Sequence, residues 1–235
     1  MFRKFYSKII ATILVFSIAS SAYLIFQLES KANLVFAQGY VYADGYYDAA
    51  GGAYIFGGAR SDMTSAIPQV RDSGFSAMRV AVAHKTLSDP NPDYAFVETG
   101  WVKYAGSSSR CAYASWRTTS GIDGYQSHTC LPATYEARDY RVAVKNDNQT
   151  QWSFIFDGAV FRTVAPGFTR GAEVGCGGEA SSSQNAIGVS SCYNVKYKNN
   201  ALTSWVQLPS HLKRVTSGYN VFNYNNYSWQ SYGNN

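Results

Sequence analysis

Acidic side chains are the first place to look for chemistry in this chain, because the common catalytic sets are missing. It has no GxSxG elbow, no HExxH helix and no glycine-rich phosphate loop between a strand and a helix. The three histidines, His84, His128 and His211, are scattered. Beyond residue 37 the glutamates number four: Glu98, Glu136, Glu173 and Glu179. Glu98 sits in the run FVETGW, among apolar and small neighbours. Glu179 sits in GCGGEA, where glycines leave nothing to crowd its carboxylate. A charge inside such a strand is expensive unless it faces solvent or a site. Each of the two is therefore either a solvated acid on an outward face or part of a working constellation. Two carboxylates facing one water cannot both ionise cheaply, so one keeps a proton while the other stays anionic. The anion can then act as general base and its protonated partner as general acid. Such chemistry requires no metal, no cofactor and no nucleophilic side chain.

The elements that must position these acids read as strands. In 76–83, Met78, Val80 and Val82 alternate with Arg79, Ala81 and Ala83. In 94–104, Phe96, Glu98, Gly100 and Val102 share one face, with Val97, Thr99 and Trp101 on the other. The same period of two recurs in 140–145, in 151–156 with Trp152, Phe154 and Phe156 on one side, and in 192–197. Asp157-Gly158 followed by AVFRTV marks a hairpin, because a tight turn between strands needs positive φ. The stretch 61–74 is the one place beyond the leader where a helical turn is expected, and Pro68 limits it. Residues 38–54 read as a loose lead-in followed by an edge strand, and the Asn/Tyr-rich end as a last strand with a loose C-terminal tail. Many short strands with 20 glycines and 19 tyrosines predict an all-β fold, a two-layer antiparallel β-sandwich of the jelly-roll, concanavalin-like kind.

The first 37 residues speak to location. Arg3, Lys4 and Lys8 precede residues 9–28, which carry no charge, and Val35 and Ala37 offer small residues for cleavage after Ala37. This reads as an export signal, residues 1–37, with Ser20 and Ala22 as an earlier cleavage site. An uncleaved anchor through residues 9–28 is the other reading, since about 20 apolar residues can span a bilayer. In both cases residues 38–235 form one domain outside the cytoplasm. With Arg3, Lys4, Lys8, Lys31 and Glu29 set aside, that domain keeps 16 basic and 14 acidic side chains. The balance argues against nucleic acid as a partner, and no membrane contact is expected once the signal is removed. Four cysteines, Cys111, Cys130, Cys176 and Cys192, read as two disulfides in an exported chain. Three pairings are open; Cys111–Cys130 with Cys176–Cys192 closes the shorter loops. No spacing suggests a zinc site.

Over residues 94–198 the chain resembles the catalytic domain of the neprosin family of glutamic peptidases. The resemblance rests on VETGW at 97–101, YASWRTTSGIDGYQSHTC at 113–130, QTQWSF at 149–154, GGE at 177–179 and AIG at 186–188, in the family's order. Trp116-Arg117 stands where the family has Trp-Thr, and only Cys130 answers to the family's second-element cysteine pair. The resemblance implies an antiparallel β-sandwich and a catalytic pair at Glu98 and Glu179, acting on a polypeptide. Trp101, Trp116 and Tyr125 are candidates for lining a substrate cleft, with burial in the core as the competing place for each. The rival reading is a non-catalytic, lectin-like surface module that binds glycan or protein, since jelly rolls host both. A glycoside hydrolase using two carboxylates is a third, against which stands the lack of an E-x-D-x-x-E strand.

Overall fold

A computed structural model of the chain describes residues 40–64, 66–85, 94–132, 139–145, 150–199 and 204–234, with backbone alone at 131–132 and 139–145. The expected signal, residues 1–37, and Glu136 lie outside the described residues. Strands come first in chain order as β1 (Val41–Asp48), β2 (Gly58–Thr64), β3 (Phe75–Ala83), β4 (Phe96–Tyr104) and β5 (Ser109–Arg117). They continue as β6 (Asp123–Pro132), β7 (Asp139–Lys145), β8 (Trp152–Phe156), β9 (Ala159–Val164) and β10 (Glu173–Ala180). The last five are β11 (Ile187–Lys198), β12 (Val206–Gln207), β13 (Leu212–Val215), β14 (Tyr219–Asn225) and β15 (Ser228–Gly233). Helix among the described residues is confined to a 3-10 turn at Ala50–Gly52.

Two antiparallel sheets form. The first runs β13-β1-β10-β3-β4-β5-β6 and the second β14-β15-β11-β2-β7-β8-β9, with β12 beside β11. This is the expected sandwich. Alternation places Met78, Val80 and Val82 of β3 and Val97 and Trp101 of β4 on the inner face of the first sheet. Against them pack Met63, Trp152, Phe154, Ile187, Val195 and Trp229 from the second. Trp152 and Trp229 are fully buried, and each indole N–H donates to a carbonyl, of Phe168 at 2.8 Å and of Cys176 at 3.0 Å. Their apolar area is thus buried without leaving a donor unpaired. The hairpin of β8 and β9 turns at Asp157 (φ 50°) and Gly158 (φ 86°), the two left-handed positions that a two-residue turn demands.

Both short-loop disulfides form, Cys111–Cys130 and Cys176–Cys192. The first joins paired residues of neighbouring strands β5 and β6. The second crosses the core from β10 in one sheet to β11 in the other, tying the layers together.

Three expectations need correction. The described residues of the 61–74 stretch are not helical: Ser61–Thr64 completes β2, paired on both sides with β7 and β11. Residues 66–74, ahead of β3, are irregular and are held by Asp72, whose Oδ1 accepts from the Gly74 N–H at 2.7 Å and the Asn185 amide at 2.6 Å. β1 is not at an edge, because β13 pairs with it outside β10. The C-terminal stretch is not a loose tail but the strand pair β14–β15, anchored by buried Tyr219, Val221 and Trp229.

Candidate functional site: a buried ionic grid on the outer face of one sheet

The face of the first sheet that points away from the core carries the polar residues of β1, β10, β3, β4 and β5. Register places them on a grid. Arg79 of β3 has Gly177 of β10 on one side and Gly100 of β4 on the other. Two residues along β3 in one direction, Ala77 lies beside Glu179; two in the other, Ala81 lies beside Glu98. The ExG of β4 and the GxE of β10 are therefore one device used twice. Each supplies a carboxylate at a corner and a bare backbone next to the central arginine. Neither glycine tolerates a side chain, since a Cβ on Gly100 would run into the Met78 carbonyl and one on Gly177 into Asp44.

The two glutamates meet on that arginine. Arg79 Nε lies 2.8 Å from Glu179 Oε2 and 3.4 Å from Glu98 Oε2. The two carboxylate oxygens can be no further apart than those two distances laid end to end. Tyr113 of β5 donates its hydroxyl to Glu98 Oε1 at 3.1 Å. On the other side Arg79 Nη2 reaches Asp44 Oδ2 of β1 at 3.3 Å, and the same oxygen takes Arg214 Nη1 of β13 at 3.1 Å. Arg214 also reaches Glu173 Oε1 at 2.7 Å and lies over the Tyr46 ring at 4.6 Å. Asp44, Arg79, Glu98, Glu173 and Glu179 are all buried, the two site glutamates at 2% exposure each. The two carboxylates are thus shut away from solvent.

Four carboxyl groups share two guanidinium groups, so full ionisation would leave an uncompensated excess of negative charge in a buried place. The titrations reflect this. Burial, with the nearby Glu98 and Asp44 charges adding and Arg79 opposing, pushes Glu179 up to about 8. Burial also raises Glu98, against the pull of Arg79 and the Tyr113 hydrogen bond. Asp44 rises for the same first reason, opposed by Arg214 and Arg79. Burial works against the Arg79 charge, but Glu179, Glu98 and Asp44 outweigh it and hold the guanidinium protonated. A pair of carboxyls that keeps at least one proton is what acid–base work on a water molecule needs.

Of the three aromatic candidates, only Tyr125 is on this face: it pairs with Ser115, itself opposite Glu98, and stacks on Tyr113 with centroids 5.9 Å apart. Trp101 points into the core and donates its indole N–H to the Thr64 carbonyl at 3.1 Å. Trp116 packs toward the second sheet against Phe154 and under Arg162. Neither Trp shares the face of the carboxylates, because each stands an odd number of residues from Glu98 or its partner Ser115 on its own strand. Sequence reasoning passed over Arg79, Asp44, Tyr113 and Arg214. The signal for Arg79 was there: a single cation inside the otherwise uncharged FSAMRVAVA. Among the described residues no three His, Cys, Asp or Glu side chains are arranged to hold a metal.

No family model and no curated protein matches this chain by sequence. Solved structures do match its fold. Scytalido-glutamic peptidase, in a structure with a transition state analog inhibitor, superposes with a TM-score of 0.60 at 10% identity, covering 81% of this chain and 97% of that one. SCP-B, a member of the eqolisin family of peptidases seen with the tripeptide Ala-Ile-His, superposes with a TM-score of 0.52 at 10% identity, covering 81% and 96%. The β-sandwich of this chain is therefore one that glutamic peptidases use. The neprosin family itself is not matched.

Proposed function

We propose that this chain is an exported, acid-acting endopeptidase of the glutamic type, with Glu98 and Glu179 as its catalytic pair. One observation carries the reading: two carboxylates from separate strands converge on a single guanidinium nitrogen, on one face of a sheet. The glutamic-peptidase fold of the neighbours supports it. The working form holds one proton on the pair. The anionic member takes a proton from water, whose oxygen bonds to the peptide carbon. The protonated member hydrogen-bonds to the carbonyl oxygen as charge builds on it and then gives its one proton to the leaving nitrogen as the C–N bond breaks, so that the pair again holds a single proton, now on the other carboxyl. Tyr125, and Tyr113 beside it, would flank the bound peptide.

A second reading is favoured by burial. With each carboxylate 2% exposed and bridged by Arg79, the grid also suits a structural network inside a non-catalytic, lectin-like module. Degradation of an unfolded protein substrate across the pH range separates the two. The peptidase reading requires cleavage with an acid optimum, insensitive to chelators and to serine and cysteine reagents. Absence of cleavage at every pH, with glycan binding instead, establishes the module.

A further inference from the structure

Resting on the peptidase reading, we propose that Arg79 is the third member of the site, a positioning residue in register between Gly100 and Gly177 that holds both glutamates and lets one of them ionise at a lower pH than burial alone would allow. Burial alone would leave both carboxyls protonated through the acid range, and a pair with two protons contains no base. A cation on the same face changes this only if it touches the pair, and Arg79 Nε lies within 3.4 Å of both. The arginine cannot swing away freely. Its Nη2 is tied to Asp44 at 3.3 Å, and the residue is 4% exposed. Its seat is built in, because the strand on either side presents a glycine in register with it. The two glycines of ETG and GGE thus gain a reason beyond leaving a carboxylate uncrowded: beside the arginine, a Cβ at Gly100 would meet the Met78 carbonyl and one at Gly177 would meet Asp44.

Burial sets the upward direction for both glutamates, and other polar groups face the same surface. From β1 come Asp44 and the Tyr42 ring, from β10 Glu173, from β13 Arg214, from β5 the Tyr113 hydroxyl hydrogen-bonded to Glu98, and from β6 Tyr125 stacked behind it. The Asp44 anion pushes both glutamates upward, opposite to Arg79. Removing the arginine and removing the aspartate must therefore move the pair in opposite directions, which mere loosening of the fold would not do.

The experiment is the pH profile of peptide cleavage by the wild-type chain, Arg79→Met, Arg79→Lys and Asp44→Asn. The acid limb, where the base gains its proton, is expected about 1–3 pH units higher in Arg79→Met, the ordinary effect of a guanidinium on a carboxylate. In Asp44→Asn it moves lower. At the wild-type optimum Arg79→Met loses kcat at least about tenfold with little change in KM, since at one pH unit's displacement about a tenth of the base remains ionised. Arg79→Lys returns part of the profile. Limbs that stay in place, or that move the same way in Arg79→Met and Asp44→Asn, overturn the proposal. If Arg79→Met does not fold, Arg79→Lys and Asp44→Asn carry the test: both limbs unmoved overturns it. If the wild-type chain cleaves nothing, the peptidase reading fails separately. The Arg79 inference is then decided by carbon-13 titration of the Glu98 and Glu179 carboxyls in the same variants, where opposite shifts support it and unchanged titration overturns it.

Discussion

The two faces of the first sheet belong to the same seven strands and are both buried at its centre, on β10, β3 and β4, yet they are held by opposite means. On β3 every residue from Phe75 to Ala83 is buried, with Met78, Val80 and Val82 facing the second sheet and Ala77, Arg79 and Ala81 facing away. The inner face is apolar packing; the outer face is a grid of small residues around a chain of charges. Alternation of apolar and polar residues ordinarily means one dry face and one wet face. Here both are dry, and the outer one must satisfy its charges internally. That requirement is a cost to folding, and a face that carries such a cost at its centre is where function is to be sought.

The largest loss is expected from a charge on the inner face. Val80→Asp places an unpaired ion where the inner face has no partner for it, at a penalty of several kcal/mol against a total stability of about 5–15 kcal/mol. It is expected to abolish folding, seen as loss of the strand signal in far-UV circular dichroism. Phe154→Ala, which empties volume behind the same face, is expected to cost about 3–5 kcal/mol in denaturant unfolding without altering activity at acid pH. Removal of the inter-sheet bridge by Cys176→Ala with Cys192→Ala comes next, at about 3 kcal/mol for a loop of this size.

The outer face answers to pH instead. Glu179 is raised from 4.5 to about 8, so the native state favours its protonated form. Its contribution is complete below 4.5 and is lost as pH rises through about 8. Asp48, raised from 3.8 to about 6, acts in the same sense. Asp72 is lowered from 3.8 and opposes them only in more acid solution. The melting temperature is therefore expected to rise by several degrees from pH 8 to pH 4.5, and Glu179→Gln to flatten that rise. Smallest of all, Glu98→Gln keeps the shape and the Tyr113 contact, and should change stability at acid pH by no more than about 1 kcal/mol.

What the sequence disclosed divides along the same lines. The β8–β9 hairpin was legible because Trp152, Phe154 and Phe156 alternate strictly up to Asp157-Gly158. Glu98 and Glu179 were legible as odd charges among small residues. At the Asn/Tyr-rich end one strand was legible but the pair β14–β15 was not, because on β14 Phe222 and Tyr224 point outward, exposed, while Tyr219 and Val221 point in, so no polar side marks where a strand runs. β13 was not, since the four residues Leu, Lys, Arg and Val give too short a pattern to read. For Trp101 and Trp116 the sequence leaves cleft and core both open, and parity puts them on the core side. Arg79 escaped because alternation shows which residues share a face and not that both faces are covered.

The central claim is that the outer face works because its two carboxylates act together. The direct measurement is cleavage of an unfolded protein at acid pH by the wild-type chain, Glu98→Gln and Glu179→Gln, each confirmed folded by its melting curve. The account requires activity in the wild-type chain and its loss, by about a hundredfold or more, in each variant. Activity that survives either substitution, or a wild-type chain that cleaves nothing from about pH 2 to pH 8, would contradict it.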